Sequence, residues 1–148
     1  MAKVISVNRS DSKGVVKIPQ TEGLFIEDFG LEKDAHAGKW HRQVSLLAEE
    51  SIEKMKKEIP GLKEGDFAEN ITSKGIILHK LPIGTRLKIG QSIQEVSQIG
   101  KTCHKGCAIK TKVGSCIMPS EGIFTRVIVG GLVRVGDPIE ILENEEKI

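Results

Sequence analysis

Short aliphatic and β-branched runs, each halted by glycine, proline, asparagine or aspartate, recur along the whole chain and restrict its fold most. Runs of this length suit strands, and the residues that stop them are the ones that turns require. Strands are expected at 3–8, 18–20, 24–26, 43–46, 71–73, 87–89, 92–98, 123–129 and 138–142. Gly90-Gln91 reads as the turn of a hairpin between two of them. One stretch breaks the rhythm. Ala48, Ile52, Met55 and Ile59 share one face at helical spacing, so a helix is expected over 47–58. Ser45 would cap it, Glu49 and Glu50 would suit its positive end, and Pro60-Gly61 would stop it. Many short strands with one good helix predict a single mainly β domain over 1–148, closed or nearly closed into a barrel.

Composition narrows the function classes. A chain of 148 residues can bury roughly two thirds of its unfolded surface and needs no staples. A net charge of +2, with few aromatics and no basic stripe, argues against nucleic acid. No apolar run approaches the ~20 residues that span a bilayer. The start of the chain runs directly into strand pattern, without a signal-peptide core, and its 3 cysteines are odd in number. Both point to a reducing cytoplasm rather than a disulfide framework. The acidic end, Glu143-Asn144-Glu145-Glu146, is expected to be a solvated tail.

All three thiols fall in one segment. Gly100-Lys101-Thr102-Cys103-His104-Lys105-Gly106-Cys107 follows an expected strand, and Cys116 comes soon after. Lys101, His104 and Lys105 are cations or potential cations near in sequence to Cys103 and Cys107. Cations lower a thiol's pKa and raise its thiolate fraction, which both nucleophilic and metal-binding cysteines need. Inert core packing is the plainer reading of a lone cysteine, and fits Cys107 less well among glycine and lysine. Cys103, His104, Cys107 and Cys116 are nominally four zinc ligands, so a zinc-stabilised structural domain is a further alternative. Adjacent Cys and His, however, seldom reach one tetrahedral ion together.

Two other segments carry polar groups in suggestive order. Asp34-Ala35-His36-Ala37-Gly38-Lys39-Trp40-His41-Arg42 combines a carboxylate, two histidines and a guanidinium. Arg42 offers a planar fork for phosphate or carboxylate, and a polar loop with a surface salt bridge is the equal alternative. Gly65-Asp66-Phe67-Ala68-Glu69-Asn70 reads first as turn chemistry. Glu69 and Asn70 would serve a site only by facing the same cavity as Cys107.

Taken in order, these motifs resemble the MOSC domain, named after the C-terminal part of molybdenum-cofactor sulfurase. The matching residues include Gly30-Leu31-Glu32-Lys33-Asp34-Ala35-His36-Ala37-Gly38, His41-Arg42-Gln43-Val44-Ser45, Gly65-Asp66-Phe67-Ala68-Glu69-Asn70-Ile71-Thr72, Leu81-Pro82-Ile83-Gly84-Thr85 and Gly136-Asp137-Pro138. The likeness is greatest to small stand-alone bacterial members. It implies a β-barrel-like fold and a site for molybdopterin, the molybdenum cofactor. Cys107 best matches the cysteine that ligates molybdenum or carries sulfur as a persulfide, with Cys103 as the competing thiol. His36, Arg42, Lys101, Glu69 and Asn70 are the implied cofactor-binding residues. The implied role is a component of a small molybdenum reductase or a sulfur carrier, and a binding module without turnover is the alternative. Partners would be the cofactor, the proteins that make or receive it, and an electron-donor protein, not nucleic acid or membrane. Pyridoxal phosphate belongs to a separate domain of sulfurases and is not expected on this chain.

Overall fold

The computed structural model describes residues 2–11, 16–35, 37–57, 60–100 and 121–142. Among the described residues eleven strands and one α-helix follow in order: β1 (Lys3–Arg9), β2 (Ile18–Gln20), β3 (Glu22–Ile26), β4 (Gly30–Leu31), β5 (Val44–Ala48), α1 (Glu49–Lys56), β6 (Ile71–Lys74), β7 (Arg86–Ile89), β8 (Ser92–Ile99), β9 (Ile123–Val129), β10 (Gly131–Arg134) and β11 (Ile139–Ile141), with one 3-10 turn at Leu78–Lys80 between β6 and β7. The expected β-rich class is observed, with one α-helix among the described residues.

Eight strands form one sheet in the order β11-β7-β8-β9-β5-β6-β1-β2, and β10-β3-β4 form a second. Only β5 and β6 pair in parallel among the described strands. A parallel pair needs a crossover, and α1 lies in it. Gly90-Gln91 makes the expected hairpin turn, with Ile89 opposite Ser92.

Strand pairing does not close a barrel among the described residues. The large sheet has free edges at β11 and β2, and a single bridge, Lys3 to Pro138, joins β1 to the approach of β11. Val4 N–H donates to the Asp137 carbonyl at 2.8 Å and Ile139 N–H to the Ala2 carbonyl at 3.0 Å. Pro138 has no N–H with which to carry the ladder through that point.

Alternation along the strands builds two apolar clusters. Val4, Val7, Val44, Leu46, Ile71, Leu87, Val96 and Ile123 share the larger core. Leu47, Ile52, Leu62, Phe67, Ala68 and Phe124 form the smaller one, which anchors α1.

The helix starts later than its periodicity suggests. Leu47 and Ala48 end β5, whose five residues are all buried, and Ala48 occupies the cap position without a side-chain cap bond. Ser45 is in mid-strand, where its hydroxyl donates to the Ala68 carbonyl at 3.1 Å. Hydrogen bonding to β6 and β9 on either side overrides the helical spacing. Glu49 and Glu50 do occupy the first turn. Ile59 and the acidic end lie outside the described residues.

Candidate functional site

β8 and β9 run antiparallel as far as Ile99 opposite Ile123, and Gly100 N–H donates to the Gly122 carbonyl at 2.7 Å. These described residues bracket 101–120. Lys101, Cys103, Cys107 and Cys116 belong to that stretch and lie outside the described residues, as does His36. Both flanks of the thiol-bearing segment are therefore at one end of the β8–β9 pair.

Arg42 belongs to the same end. Its Nε donates to Gln98 Oε1 at 3.1 Å, and Gln98 Nε2 donates to the Gly100 carbonyl at 2.7 Å. The guanidinium also stacks on Phe124, 5.4 Å from the ring centroid. Gln98 and Phe124 are register partners on neighbouring strands, so the sheet sets both supports of Arg42 at once. Among the described residues the guanidinium is held by one nitrogen and one face, which leaves its outer fork for a carboxylate or phosphate. Next to it, the His41 ring packs edge-on against Trp40 and the His41 carbonyl accepts the Ser97 hydroxyl.

The Asp34 carboxylate points inward. It accepts the Lys17 ammonium at 2.9 Å and Ser10 N–H at 3.1 Å. Burial pushes its pKa up, but the Lys17 charge, with hydrogen bonds from Lys17, Ser10 and Asn70, outweighs that and holds it below the usual carboxylate value. A cavity of about 740 Å³ is lined by Arg9, Ser10, Asp11, Lys33 and Gln20, with Val16 and Ile18 as apolar wall. Sequence reading passed over Arg9 and Lys17. A basic residue at a strand end, and a lysine in an otherwise apolar run, were the signals present.

Glu69 and Asn70 are fully buried and bond within the protein. Glu69 accepts Gly65 N–H at 2.9 Å, Phe67 N–H at 3.3 Å and the Thr72 hydroxyl at 2.7 Å. Burial pushes its carboxyl up to about 7 against those bonds. Asn70 Oδ1 accepts Ser45 N–H at 3.0 Å, and its Nδ2 donates to the Asn8 carbonyl at 3.2 Å. The pair therefore ties β5 to β1 and shapes the turn ahead of β6, consistent with the turn-chemistry reading. Cys107 lies outside the described residues, and so does any comparison of their cavities.

At the return of the thiol segment, Glu121 accepts the Ser51 hydroxyl at 2.5 Å and the Lys54 ammonium, which fastens that flank to α1. Among the described residues no three His, Cys, Asp or Glu side chains are grouped to hold a metal, and every cysteine of the zinc reading lies outside them. No helix of the described residues is long and apolar enough to cross a membrane.

Comparison with known proteins adds an independent line. Several solved structures share this architecture. YiiM from Geobacillus stearothermophilus superposes with a TM-score of 0.75 at 19% identity, over 97% of this chain and 76% of its own. The YuaD protein from Bacillus subtilis gives 0.75 and 19%, covering 95% of this chain and 96% of its own. YiiM from Escherichia coli gives 0.72 and 19%, over 100% of this chain and 73% of its own. At such identities the likeness speaks for the fold. No curated protein sequence matches. The family profile of the MOSC domain matches residues 33–140, a span from Lys33 through Arg42 to β11, and the chain thus belongs to the MOSC-domain family.

Proposed function

We propose that this chain binds the molybdenum cofactor at the end of the β8–β9 pair. Arg42 would take its phosphate, and a cysteine of the 101–120 segment, Cys107 first and Cys103 second, would ligate molybdenum or carry sulfur as a persulfide. MOSC domains are associated with this cofactor, and the chain is one of them. The observation that carries the proposal is the chain of contacts from Arg42 through Gln98 to Gly100. It supports the reading by keeping a guanidinium, a group suited to phosphate, beside the residue from which the thiol-bearing segment departs.

The chemistry of the donor set fits the group. A pterin cofactor brings a terminal phosphate, which a guanidinium fork suits, and a soft metal centre, which a thiolate suits. When bound, the cofactor would supply a two-electron redox centre. The chain's own residues would supply the rest. Phe124 and Gln98 fix the guanidinium plane. Lys101, His104 and Lys105, near the thiols in sequence, would favour thiolate over thiol at neutral pH. The Ser51–Glu121–Lys54 contacts hold the far flank of the segment against α1.

Cys107→Ser and Cys103→Ser variants, each with matched purification, test the thiol assignment. Loss of molybdenum or of persulfide labelling in Cys107→Ser, with retention in Cys103→Ser, is expected. The reverse pattern would transfer the role to Cys103, and retention in both would remove the thiol from the proposal.

A further inference from the structure

A cavity of about 530 Å³ opens between α1 and the 75–80 segment, beside Glu121. One wall is apolar, formed by Ala48, Ile76, Ile77 and Leu78, and Ile77 is 57% exposed there. The cavity's two carboxylates are already committed to donors of the protein. Glu50 Oε2 accepts Gly75 N–H at 2.9 Å, and Glu121 accepts the Ser51 hydroxyl and the Lys54 ammonium. His79 and Lys80 also line the cavity, and among the described residues neither side chain makes a hydrogen bond. The Lys80 side chain, with no hydrogen bond among the described residues, and His79, whose charge acts on Glu121, thus leave donors on the polar side of this cavity.

A ligand that answers both walls has an apolar body and an anionic end. Hydrogen bonds from an ammonium or imidazole to a carboxylate are charge-assisted and stronger than neutral ones. We infer that this cavity binds a small organic carboxylate, with its body on Ile76 and Ile77 and its carboxylate on His79 and Lys80. The site lies at Glu121, the first described residue after the thiol segment, so an occupant would sit next to that flank. The inference stands on the cavity alone and does not require the cofactor reading.

The test is a 15N NMR titration of the full chain, purified from cells unable to make the molybdenum cofactor, with benzoate and with its neutral isostere benzamide. Saturable shifts centred on the amides of Ser51, Ile77, His79 and Lys80 are expected, with benzamide weaker by about tenfold. Lys80→Gln should weaken benzoate by about tenfold and Lys80→Arg should retain it. Lys80 is exposed, so neither variant should disturb folding. Scattered or non-saturating shifts, equal affinity for benzamide, or unchanged binding by Lys80→Gln together with His79→Gln would overturn it. Because the protein carries no cofactor in this experiment, failure here leaves the cofactor proposal to its own test.

Discussion

The Lys17 ammonium lies 2.9 Å from the Asp34 carboxylate, with both side chains fully excluded from solvent. The pair joins the approach of β2 to the segment that leads toward Arg42, and Asn70 extends it toward β5. A buried charge stripped of its partner is far more costly than an exposed one. Lys17→Met or Asp34→Asn is therefore expected to cost about 3–5 kcal/mol in urea unfolding. The double variant should cost less than the sum of the two. A single-variant loss under about 1 kcal/mol would show that the pair is not the buried unit described.

Glu69 gives stability a particular pH dependence. Its native carboxyl keeps its proton up to about 7, whereas the unfolded chain releases it near the ordinary 4.5. Between those values the native state holds more protons than the unfolded state, so stability falls as pH rises. The fall amounts to about 3 kcal/mol at most. Glu69→Gln should flatten that slope, as read from urea midpoints across the window. Asp34, held low, acts in the opposite sense: its contribution is present above its ordinary pKa and is lost on acidification. A slope in the neutral window identical in wild type and Glu69→Gln would refute the assignment.

Gly65 is held at φ +89°, and a Cβ there would lie 2.1 Å from the Lys17 carbonyl oxygen. That carbonyl belongs to backbone, and Lys17 N–H donates to the Gly65 carbonyl at 2.8 Å, so neither side can withdraw cheaply. Gly65→Ala should cost about 3 kcal/mol or more, from the left-handed backbone plus the clash. Calorimetry that finds the melting temperature unchanged would contradict the geometry.

The rhythm of short runs and turns located most of the strands, because alternation and turn residues are local properties. β4 and β10 escaped it. Gly30–Leu31 is too short to show a period, and Gly131–Arg134 exists as a strand through its pairing with β3. The helix start was misplaced because Leu47 and Ala48 satisfy both periods, and only burial between two neighbouring strands decides for β5. At the candidate site, the chemistry of Arg42 was legible, but not its support. Gln98 and Phe124 stand 56 and 82 positions further along, and no local pattern announces that the sheet brings them under one guanidinium. Lys17 was missed for a similar reason: its partner Asp34 comes from a separate segment.

Arg42 is the described residue on which the cofactor proposal depends most. Arg42→Ala should lower the retained pterin by about tenfold, the loss of one charge-assisted pair. Arg42→Lys should recover little, since a lysine has neither the fork nor the planar stack on Phe124. Unfolding free energy should change by about 1 kcal/mol or less, because Arg42 is only half-buried. Full pterin retention in Arg42→Ala would exclude this residue from the site.

The most direct measurement is the molybdenum and pterin content of the protein purified from cells competent to make the cofactor. Near-stoichiometric pterin, with molybdenum alongside it and both reduced in Arg42→Ala, is the predicted result. Absence of both from the wild-type chain, while a second molybdenum enzyme produced in the same cells is fully loaded, would contradict the proposal that this MOSC domain binds the cofactor.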